Sequence, residues 1–425
     1  MKLLFNIRLS ITIATIGILY LSPANCTATT VDKDACISAL VNGIHFLDES
    51  QIKSDLSSAD YRNIRDIAEG CWPCLVCRCA NWDCSKMDTL WIRCNAMTQG
   101  ALLCLQELYH HREQILPPPE AKAFETIASK VCRYMENFVS VDSTYGCRRI
   151  NWYPHRSLSN PDDIEDTSIY FLVRYFFMGK KSEEFVELLS SNRDDGSDIC
   201  VKGIWAKIAD VPTGAFLTWL RPYPERAFQD SNDIALGAAS NAIFLLGVLD
   251  SKTTPGFAET VTLINKVAEM NLQFSFPLEV IRWYAGNPYA FGYNLCRAYA
   301  DGGVVELKPA VLAIQNELLS EIDDNPNSDR MRWRYSDNFE IVDAYAANSL
   351  MDAGYTGNAI DRLIAEIISA QNPQSGSWRA DCVTGTADQR IKQCSSQWST
   401  AICMQAITKY LMIRYPEVLE SKDAE

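Results

Sequence analysis

The stretch PDDIEDTS, residues 161–168, contains four carboxylates within five positions. An apolar run from Ile169 to Phe177 follows directly, and its large apolar residues recur with the spacing of one face of a helix. Asp166 or Thr167 is a suitable N-cap for that helix. The sequence therefore predicts a cluster of carboxylates at the start of a helix whose body is buried.

The same arrangement, a polar residue followed by an apolar helical stretch, recurs along the chain. The starts are separated by roughly 50 to 80 residues, which is long enough for a helical hairpin and a loop in each repeat. Alternation with period two is almost absent over strand length, so we predict a mostly helical chain. The predicted starts lie near Asp88, Asp166, Asp233, Tyr289, Val342 and Trp398.

Small residues recur on these helices, as at Ala235, Gly237, Ala238 and Ala239. Small side chains let neighbouring helices approach closely. An inner ring of six close-packed helices inside an outer ring is the simplest arrangement that uses this property. An irregular helical bundle and an open solenoid are the alternatives. We therefore predict an all-α protein in which residues 85–415 form a double ring around a central cavity.

Charge and apolar composition indicate which binding partners the protein can have. The chain has 425 residues, 22% of them charged, and a net charge of -14. Binding to nucleic-acid phosphates needs a basic face, so we expect no nucleic-acid partner. After the N-terminal segment, no apolar run has transmembrane length, so we expect no transmembrane segment. The sequence leaves the oligomeric state open.

The N-terminus has the pattern of a secretory signal. A positively charged start precedes the apolar segment 9–21, which is short for a bilayer span. Small residues at 24 and 26 fit cleavage before Thr27, and a lipid anchor on Cys26 is the alternative. We therefore predict a signal peptide over residues 1–26 and a secreted or periplasmic protein.

Cysteine usage agrees with export, because the chain has 16 cysteines and seven of them crowd one stretch. In an exported protein such a cluster favours disulfides. A zinc site is the alternative, because the cluster contains two overlapping Cys-x-x-Cys spacings. These spacings lack the separate second pair of ligands that a zinc site needs. We predict a helical, disulfide-stapled extension over residues 27–84 that packs on the ring, and a polar tail at 416–425. The clustered cysteines are Cys71, Cys74, Cys77, Cys79, Cys84, Cys94 and Cys104.

The acidic stretch resembles a known catalytic signature. Residues 163–168, DIEDTS, resemble the Asp-x-Asp-Asp-Thr-Ala signature of class II terpene cyclases and squalene-hopene cyclases. Glu165 stands where that signature has its central Asp, and Ser168 stands where it has Ala. The resemblance implies an α/α toroid built from six helical hairpins.

Other segments carry the same resemblance outside the signature. Residues 371–378, QNPQSGSW, resemble the Gln…Gly-x-Trp repeat of that superfamily. Residues 287–302 and 395–410 are similar to later repeats of uncharacterised bacterial members with prenyltransferase and squalene-oxidase-type repeats. The resemblance covers roughly residues 85 to 412. It is more specific for fold than for function, because one fold hosts several activities.

The resemblance also implies a chemistry. Glu165 would protonate a double bond of a hydrophobic isoprenoid without a cofactor, with Asp163 and Asp166 as its partners, because clustered carboxyls cannot all ionise. Glu is one methylene longer than Asp, which moves the proton by roughly 1 Å, enough to affect the rate strongly. Aromatic faces would stabilise the carbocations, and the candidates are Trp152, Trp283, Tyr289 and Trp333.

Three other hypotheses fit the same residues. Asp162–Asp166 also matches the Asp-Asp-x-x-Asp motif of class I terpene synthases, which would add Mg²⁺ as a cofactor. The second metal motif that such enzymes need is incomplete at Asn232–Asp233, since Leu236 and Ser240 stand at its ligand positions. The acids could merely cap a helix in a secreted, non-catalytic toroid that binds a lipid, a glycan or a protein. A glycoside hydrolase would need a second, distant carboxylate.

Overall fold

The computed structural model describes residues 30–53, 69–80, 83–92, 95–136, 139–141, 148–149, 162–181, 183–194, 213–220, 232–276, 280–281, 287–323, 333, 339–385 and 391–420. The helices in these ranges are α1 (Lys33–Ser50), α2 (Asn95–Cys104), α3 (Gln106–His110), α4 (Arg112–Ile115), α5 (Pro118–Glu136), α6 (Ile164–Met178), α7 (Glu184–Ser191), α8 (Leu236–Val248), α9 (Phe257–Glu269), α10 (Leu272–Ser275), α11 (Pro288–Ala300), α12 (Lys308–Asp323), α13 (Phe339–Asp352), α14 (Asn358–Ser369) and α15 (Ser396–Arg414). The strands are β1 (Cys74–Ala80), β2 (Asp83–Ile92), β3 (Ser140–Val141), β4 (Arg148–Arg149), β5 (Asp381–Gly385) and β6 (Ile391–Ser395).

Six of the described helices form a closed inner ring. Helix α2 packs against α6, α6 against α8, α8 against α11, α11 against α13, α13 against α15, and α15 returns to α2. Outer helices cover this ring: α5 packs on α6, α9 on α8, α12 on α11, α14 on α13, and α1 on α15. The predicted α/α toroid is therefore confirmed. The open solenoid and the irregular bundle are wrong, because the last inner helix contacts the first.

Burial explains the apolar character of the inner helices. Every residue of α8 from Leu236 to Leu246 is buried, and α15 is buried from Gln397 to Leu411. A helix with neighbours on all sides has no solvent face, so it does not need an amphipathic stripe. Small side chains such as Ala239 and Ala242 allow this close packing.

The Gln…Gly-x-Trp segment, which follows α14, connects to the outer helix α1 through a hydrogen bond. Gln371 Nε2 donates hydrogen bonds to the carbonyl oxygens of Ala39, on α1, and Gly376, each over 2.9 Å. Gly376 has φ +73°, and a side chain there would overlap the backbone of Asn42. Glycine is therefore required at this position, both for its conformation and for the close approach of α1.

A four-stranded antiparallel sheet was not predicted. Its strand order is β2-β1-β6-β5, and Leu75 of β1 lies opposite Cys394 of β6. The predicted helix start near Asp88 is wrong, because Asp88 lies inside β2 and pairs with Arg78. The first inner helix begins at Asn95 instead. Strand pairing over more than 300 residues of sequence is invisible to local periodicity.

The described cysteines do not support a disulfide-stapled extension over 27–84. Cys36 and Cys74 are buried thiols outside any disulfide. The side chains at 75–94 lie outside the described residues, so disulfides there remain a prediction. On the later hairpin, Cys394 is disulfide-bonded.

The signal peptide predicted at residues 1–26 lies outside the described residues, so secretion remains a prediction. None of the helices in the described ranges is long and apolar enough to cross a bilayer. The first described segment is tied to the last inner helix: Val31 N–H donates to Tyr410 Oη over 2.9 Å, and Tyr415 Oη donates to the Val31 carbonyl oxygen over 2.6 Å.

Candidate functional site

The acidic stretch begins α6, an inner helix. Asp163 is its N-cap, with extended backbone dihedrals, and not Asp166 or Thr167 as the sequence predicted. The correction has a physical reason: Ile164 already has helical geometry, while its N–H donates to the Thr218 carbonyl oxygen over 3.0 Å. The N-cap therefore lies three residues before Asp166, and Glu165 and Asp166 fall in the first turn of the helix.

Asp163 is half-buried, and its Oδ1 accepts a hydrogen bond from the backbone N–H of Asp166 over 2.7 Å. Burial and the nearby Asp162 raise the pKa of Asp163 to about 7, while the backbone N–H groups of Asp166 and Glu165 act to lower it. Two backbone N–H groups therefore partly offset the effect of burial on Asp163.

Glu165 is 6% exposed, and its Oε1 lies 3.4 Å from Asn241 Nδ2 on the neighbouring inner helix α8. Burial and the Asp163 carboxyl raise the pKa of Glu165 well above its ordinary value, while Arg297 and Asn241 act to lower it. The buried environment therefore favours the protonated form of Glu165.

Asp166 is fully buried, and neither of its carboxyl oxygens has a hydrogen-bond partner among the described residues. Its backbone carbonyl accepts a hydrogen bond from Gln99 Nε2, on α2, over 3.1 Å. Burial, followed by Asp163 and Glu165, raises the pKa of Asp166 well above its ordinary value. Burying an ionised carboxylate without a partner is costly, so this environment favours the neutral form of Asp166.

A chain of buried polar side chains leads away from this cluster through the ring. Arg297 Nη2 donates to Asn241 Oδ1 over 3.0 Å, and Arg297 Nη1 donates to Tyr293 Oη over 2.9 Å. Tyr293 Oη donates to Gln405 Oε1 over 2.7 Å, and Gln405 Nε2 donates to Glu107 Oε2 over 3.3 Å. No sequence motif marks these residues, because they come from separate helices and meet only when the ring closes.

A second charged cluster ends this chain. Lys409 Nζ lies 3.1 Å from Glu107 Oε1 and 3.8 Å from Asp301 Oδ2, and it also donates to Asp352. Burial raises the pKa of Glu107 to about 8 and that of Asp352 to about 6, although Lys409 opposes both shifts. Burial acts to lower the pKa of Lys409, but the three carboxylates outweigh it and raise that pKa.

This second cluster lies toward the C-terminal ends of the inner helices, opposite the acidic stretch. Asp301 follows the last residue of α11, and Asp352 is the last residue of α13. Tyr293 Oη, on α11, also lies 3.5 Å from Cys104 Sγ on α2, the helix on the opposite side of the ring. The centre of the ring is therefore filled with side chains at this level, and the acids at the start of α6 lie at the other end.

The comparisons with known proteins identify the fold. No family model and no curated protein sequence matches the chain. The structure of the type II terpene cyclase MstE from Scytonema is 10% identical, covers 89% of this chain and 98% of its own, and has a TM-score of 0.53. A variant of that cyclase, in complex with its substrate geranylgeranyl dihydroxybenzoate, is also 10% identical, covers 90% and 98%, and has a TM-score of 0.54.

This chain has the α/α toroid fold of the type II terpene cyclases. An unsaturated glucuronyl hydrolase specific for heparin is 12% identical and covers 90% of this chain and 98% of its own, with a TM-score of 0.48. We draw no conclusion from that lower score. The sequence resemblance and the structural similarity therefore agree on the toroid.

Two of the predicted aromatic residues lie together on the toroid. Tyr289, in the first turn of α11, has its ring centroid 5.3 Å from that of Trp333, and its hydroxyl donates to Glu321 Oε2 over 2.8 Å. Trp333 Nε1 donates to Asp343 Oδ1 over 2.6 Å. Glu321 belongs to the outer helix α12, so the hydroxyl of Tyr289 is turned toward the outer ring. Trp152 and Trp283 lie outside the described residues.

Other aromatic residues, which the sequence did not single out, meet between neighbouring inner helices of the toroid. Trp398 Nε1, on α15, donates to Tyr345 Oη, on α13, over 3.1 Å. The ring centroids of Tyr345 and Tyr293 lie 5.4 Å apart. A side chain on Gly100 of α2 would overlap the Trp398 ring, so α2 packs directly on it. These contacts join residues on helices that are separated in sequence by at least one other helix. A local sequence pattern therefore cannot reveal them.

A cavity of about 680 Å³ lies elsewhere on the toroid, beside α3, α5 and the C-terminal end of α6. Asp163, Glu165 and Asp166 do not line it. Among the described residues, no group of three or more His, Cys, Asp or Glu side chains is arranged to hold a metal ion. The cavity is lined by Glu69, Tyr109, Glu125, Ala128, Ser129, Lys130, Cys132, Arg133, Tyr134, Glu136, Phe177 and Met178.

Proposed function

We propose that this protein is terpene-cyclase-like and starts the cyclisation of an isoprenoid by protonating a carbon–carbon double bond. The observation that carries the proposal is the group of buried carboxyls at the start of α6. Burial and the neighbouring Asp163 carboxyl raise the pKa values of Glu165 and Asp166, which favours their protonated forms. A neutral carboxylic acid in a dry site can transfer a proton to an alkene, which no ionised surface carboxylate can do.

The proposed roles follow from the contacts. Glu165 donates its proton, a new C–H bond forms, and a carbocation and the Glu165 carboxylate remain. Asp163 and Asp166 are the supporting acids, as the resemblance to the class II signature implies. The positive end of α6 favours the carboxylate that forms. Loss of a proton from the cyclised cation completes an isomerisation that consumes no cofactor.

Mass spectrometry tests this proposal. The purified protein is incubated with a panel of prenyl diphosphates, squalene and geranylgeranyl dihydroxybenzoate, the last because it is the substrate of the compared cyclase. We expect a product with the same mass as one substrate and a different retention time. Glu165→Gln should abolish it, and Glu113→Gln, on an exposed side chain of α4, should not.

Other results would replace the proposal. A product that persists unchanged in Glu165→Gln would show that Glu165 is not the donor. Turnover that requires Mg²⁺ and releases diphosphate would favour the class I hypothesis.

N-terminal sequencing of the protein recovered outside the cell, with Thr27 expected as the first residue, tests the proposed export.

A second candidate is a secreted, non-catalytic toroid that binds a ligand. The cavity of about 680 Å³ favours it, because its size fits a small ligand and the acidic cluster does not line it. A non-catalytic protein would bind a member of the substrate panel without converting it. Its affinity would be unchanged in Glu165→Gln, whereas a variant in the cavity lining, such as Phe177→Ala, would weaken binding.

A further inference from the structure

Two buried side chains, Asn241 and Arg297, form a hydrogen-bonded chain that leads to Glu165. Asn241 Nδ2 lies 3.4 Å from Glu165 Oε1, and Arg297 Nη2 lies 3.0 Å from Asn241 Oδ1. A guanidinium group has only hydrogen-bond donors, so the Asn241 oxygen must face Arg297. The Asn241 amide nitrogen must then face Glu165. The orientation of this amide is therefore set by Arg297, and Glu165 Oε1 can only accept.

Arg297 is itself held in one orientation. Its guanidinium carbon lies 5.0 Å from the ring centroid of Phe244, on α8, and 4.9 Å from that of Tyr293, one turn away on α11. Its Nη1 donates to the Tyr293 hydroxyl. Arg297 is 3% exposed, so solvent does not compete with these contacts.

We propose that Asn241 and Arg297 are positioning residues that keep the acidic proton of Glu165 on Oε2. Because Oε1 accepts the hydrogen bond from Asn241, it is the carbonyl oxygen of the neutral acid, and Oε2 carries the hydrogen. Arg297 also strengthens the acid, since its positive charge favours the carboxylate left after proton transfer. This inference deepens the proposed function and rests on it.

The charges around Glu165 make Arg297 the relevant cation. At the start of α6, Asp163 disfavours ionisation of Glu165, and Glu165 in turn disfavours ionisation of Asp166. The two inner helices beside α6, α2 and α8, contain no charged residue. The inner helix that follows α8 in the ring, α11, supplies Arg297, which acts to lower the pKa of Glu165 against the larger effect of burial. Without Arg297, Glu165 would hold its proton more tightly and be a weaker acid.

Infrared spectroscopy can follow this proton without any substrate. The carbonyl band of protonated Glu165 is isolated by subtracting the spectrum of Glu165→Gln, and its loss with rising pH gives the pKa of Glu165. We expect Arg297→Met to shift that pKa upward and Arg297→Lys to remain nearer the wild-type value. We expect Asn241→Leu to move the carbonyl band toward the frequency of a free carbonyl.

Arg174→Met is the matched control, because Arg174 is also buried, stacks on Tyr170 and Phe171, and lies on the same helix as Glu165. It should lower stability without changing the pKa of Glu165. An unchanged pKa in Arg297→Met, or an equal shift in Arg174→Met, would overturn the proposal.

The wild-type spectrum provides a check that needs no Arg297 variant. If the Glu165 band of the wild type already has the frequency of a free carbonyl, Oε1 accepts nothing and the proposal is wrong, even if Arg297→Met fails to fold. The proposed function fails separately, when the wild type gives no cyclised product. If the wild type does turn over, Arg297→Met should shift the pH profile of kcat in the same direction as the pKa of Glu165.

Discussion

Asp163 Oδ1 accepts the backbone N–H of Asp166 over 2.7 Å, so a single carboxyl caps the first turn of α6. Helix capping therefore accounts for Asp163 but not for the buried acids Glu165 and Asp166 that follow it. An acid with no structural task, placed in a fully buried position, lowers stability and is retained for chemistry in many active sites. This division of tasks within the acidic stretch leads to separate expectations for each member.

Asp163→Asn should make the free energy of unfolding less dependent on pH. It should keep the helix cap, because Asn caps a helix as well as Asp does. The folded pKa of about 7 lies above the ordinary 3.8, so folding favours the protonated form of Asp163. The stability that this group contributes is full below pH 3.8 and is lost as the pH rises through 7. Urea unfolding from pH 4 to 8 should therefore show a smaller decline in the variant.

Asp163→Ala serves as the comparison, since it removes both the charge and the cap. Its free energy of unfolding at pH 4 should be lower than that of Asp163→Asn by about 1 kcal/mol. Equal slopes against pH for the wild type and Asp163→Asn would contradict the raised pKa.

Asp166→Leu should stabilise the protein at neutral pH and abolish turnover. Both carboxyl oxygens of Asp166 are buried without a partner in the described part of the chain, and leaving such a group unsatisfied costs about 1–3 kcal/mol. Chemical denaturation measures the gain in the free energy of unfolding, and the product assay measures the loss of turnover. A less stable variant would mean that Asp166 makes a structural interaction, and undiminished turnover would remove it from the proposed site.

Lys409→Met should be strongly destabilising. The variant would leave Glu107, Asp301 and Asp352 together without their cation, and breaking a buried ion pair on one side costs about 3–5 kcal/mol. Lys33→Met is the control, because Lys33 pairs with Glu417 at 3.7 Å on the exposed surface. Exposed pairs contribute about 0–1 kcal/mol. Similar losses in both variants would show that the buried cluster is not an integral part of the core.

Gly100→Ala and Gly43→Ala probe how tightly α15 packs against its neighbours. A side chain on Gly100 would overlap the rigid Trp398 ring, and one on Gly43 would meet the side chain of Met404. Overpacking against an aromatic ring costs about 1–3 kcal/mol, whereas a methionine can adapt. Thermal unfolding should therefore show a clear loss for Gly100→Ala and a much smaller change for Gly43→Ala. The reverse order would contradict this packing.

The sequence predicted the inner ring well, because each inner helix carries its own signal. Five predicted starts, from Asp166 to Trp398, lie within three residues of the observed helix starts. The start near Asp88 failed because β2 is stabilised by β1, and β1 in turn by β6 from the far end of the chain. Such strands have no period or cap that a local pattern could reveal.

The candidate site was predictable only in part, for a related reason. The acids of α6 form a contiguous motif, so Glu165, Asp163 and Asp166 could be identified from sequence. Asn241 and Arg297 lie 76 and 132 positions after Glu165 and belong to no motif. Hydrogen bonds between separate inner helices bring them together, so only the assembled structure could place them behind the acid.

The closure of the inner ring also constrains how the protein folds. In a linear stack of repeats, each new unit can pack on the previous one, and folding can propagate along the chain as it grows. Here α15 must fill the gap between α13 and α2, and Tyr410 must reach Val31. A nascent chain that has not reached α15 exposes two unpaired apolar helix faces. We therefore expect ring closure to come late in folding, and we expect slow folding and a dependence on chaperones until the last helix is made.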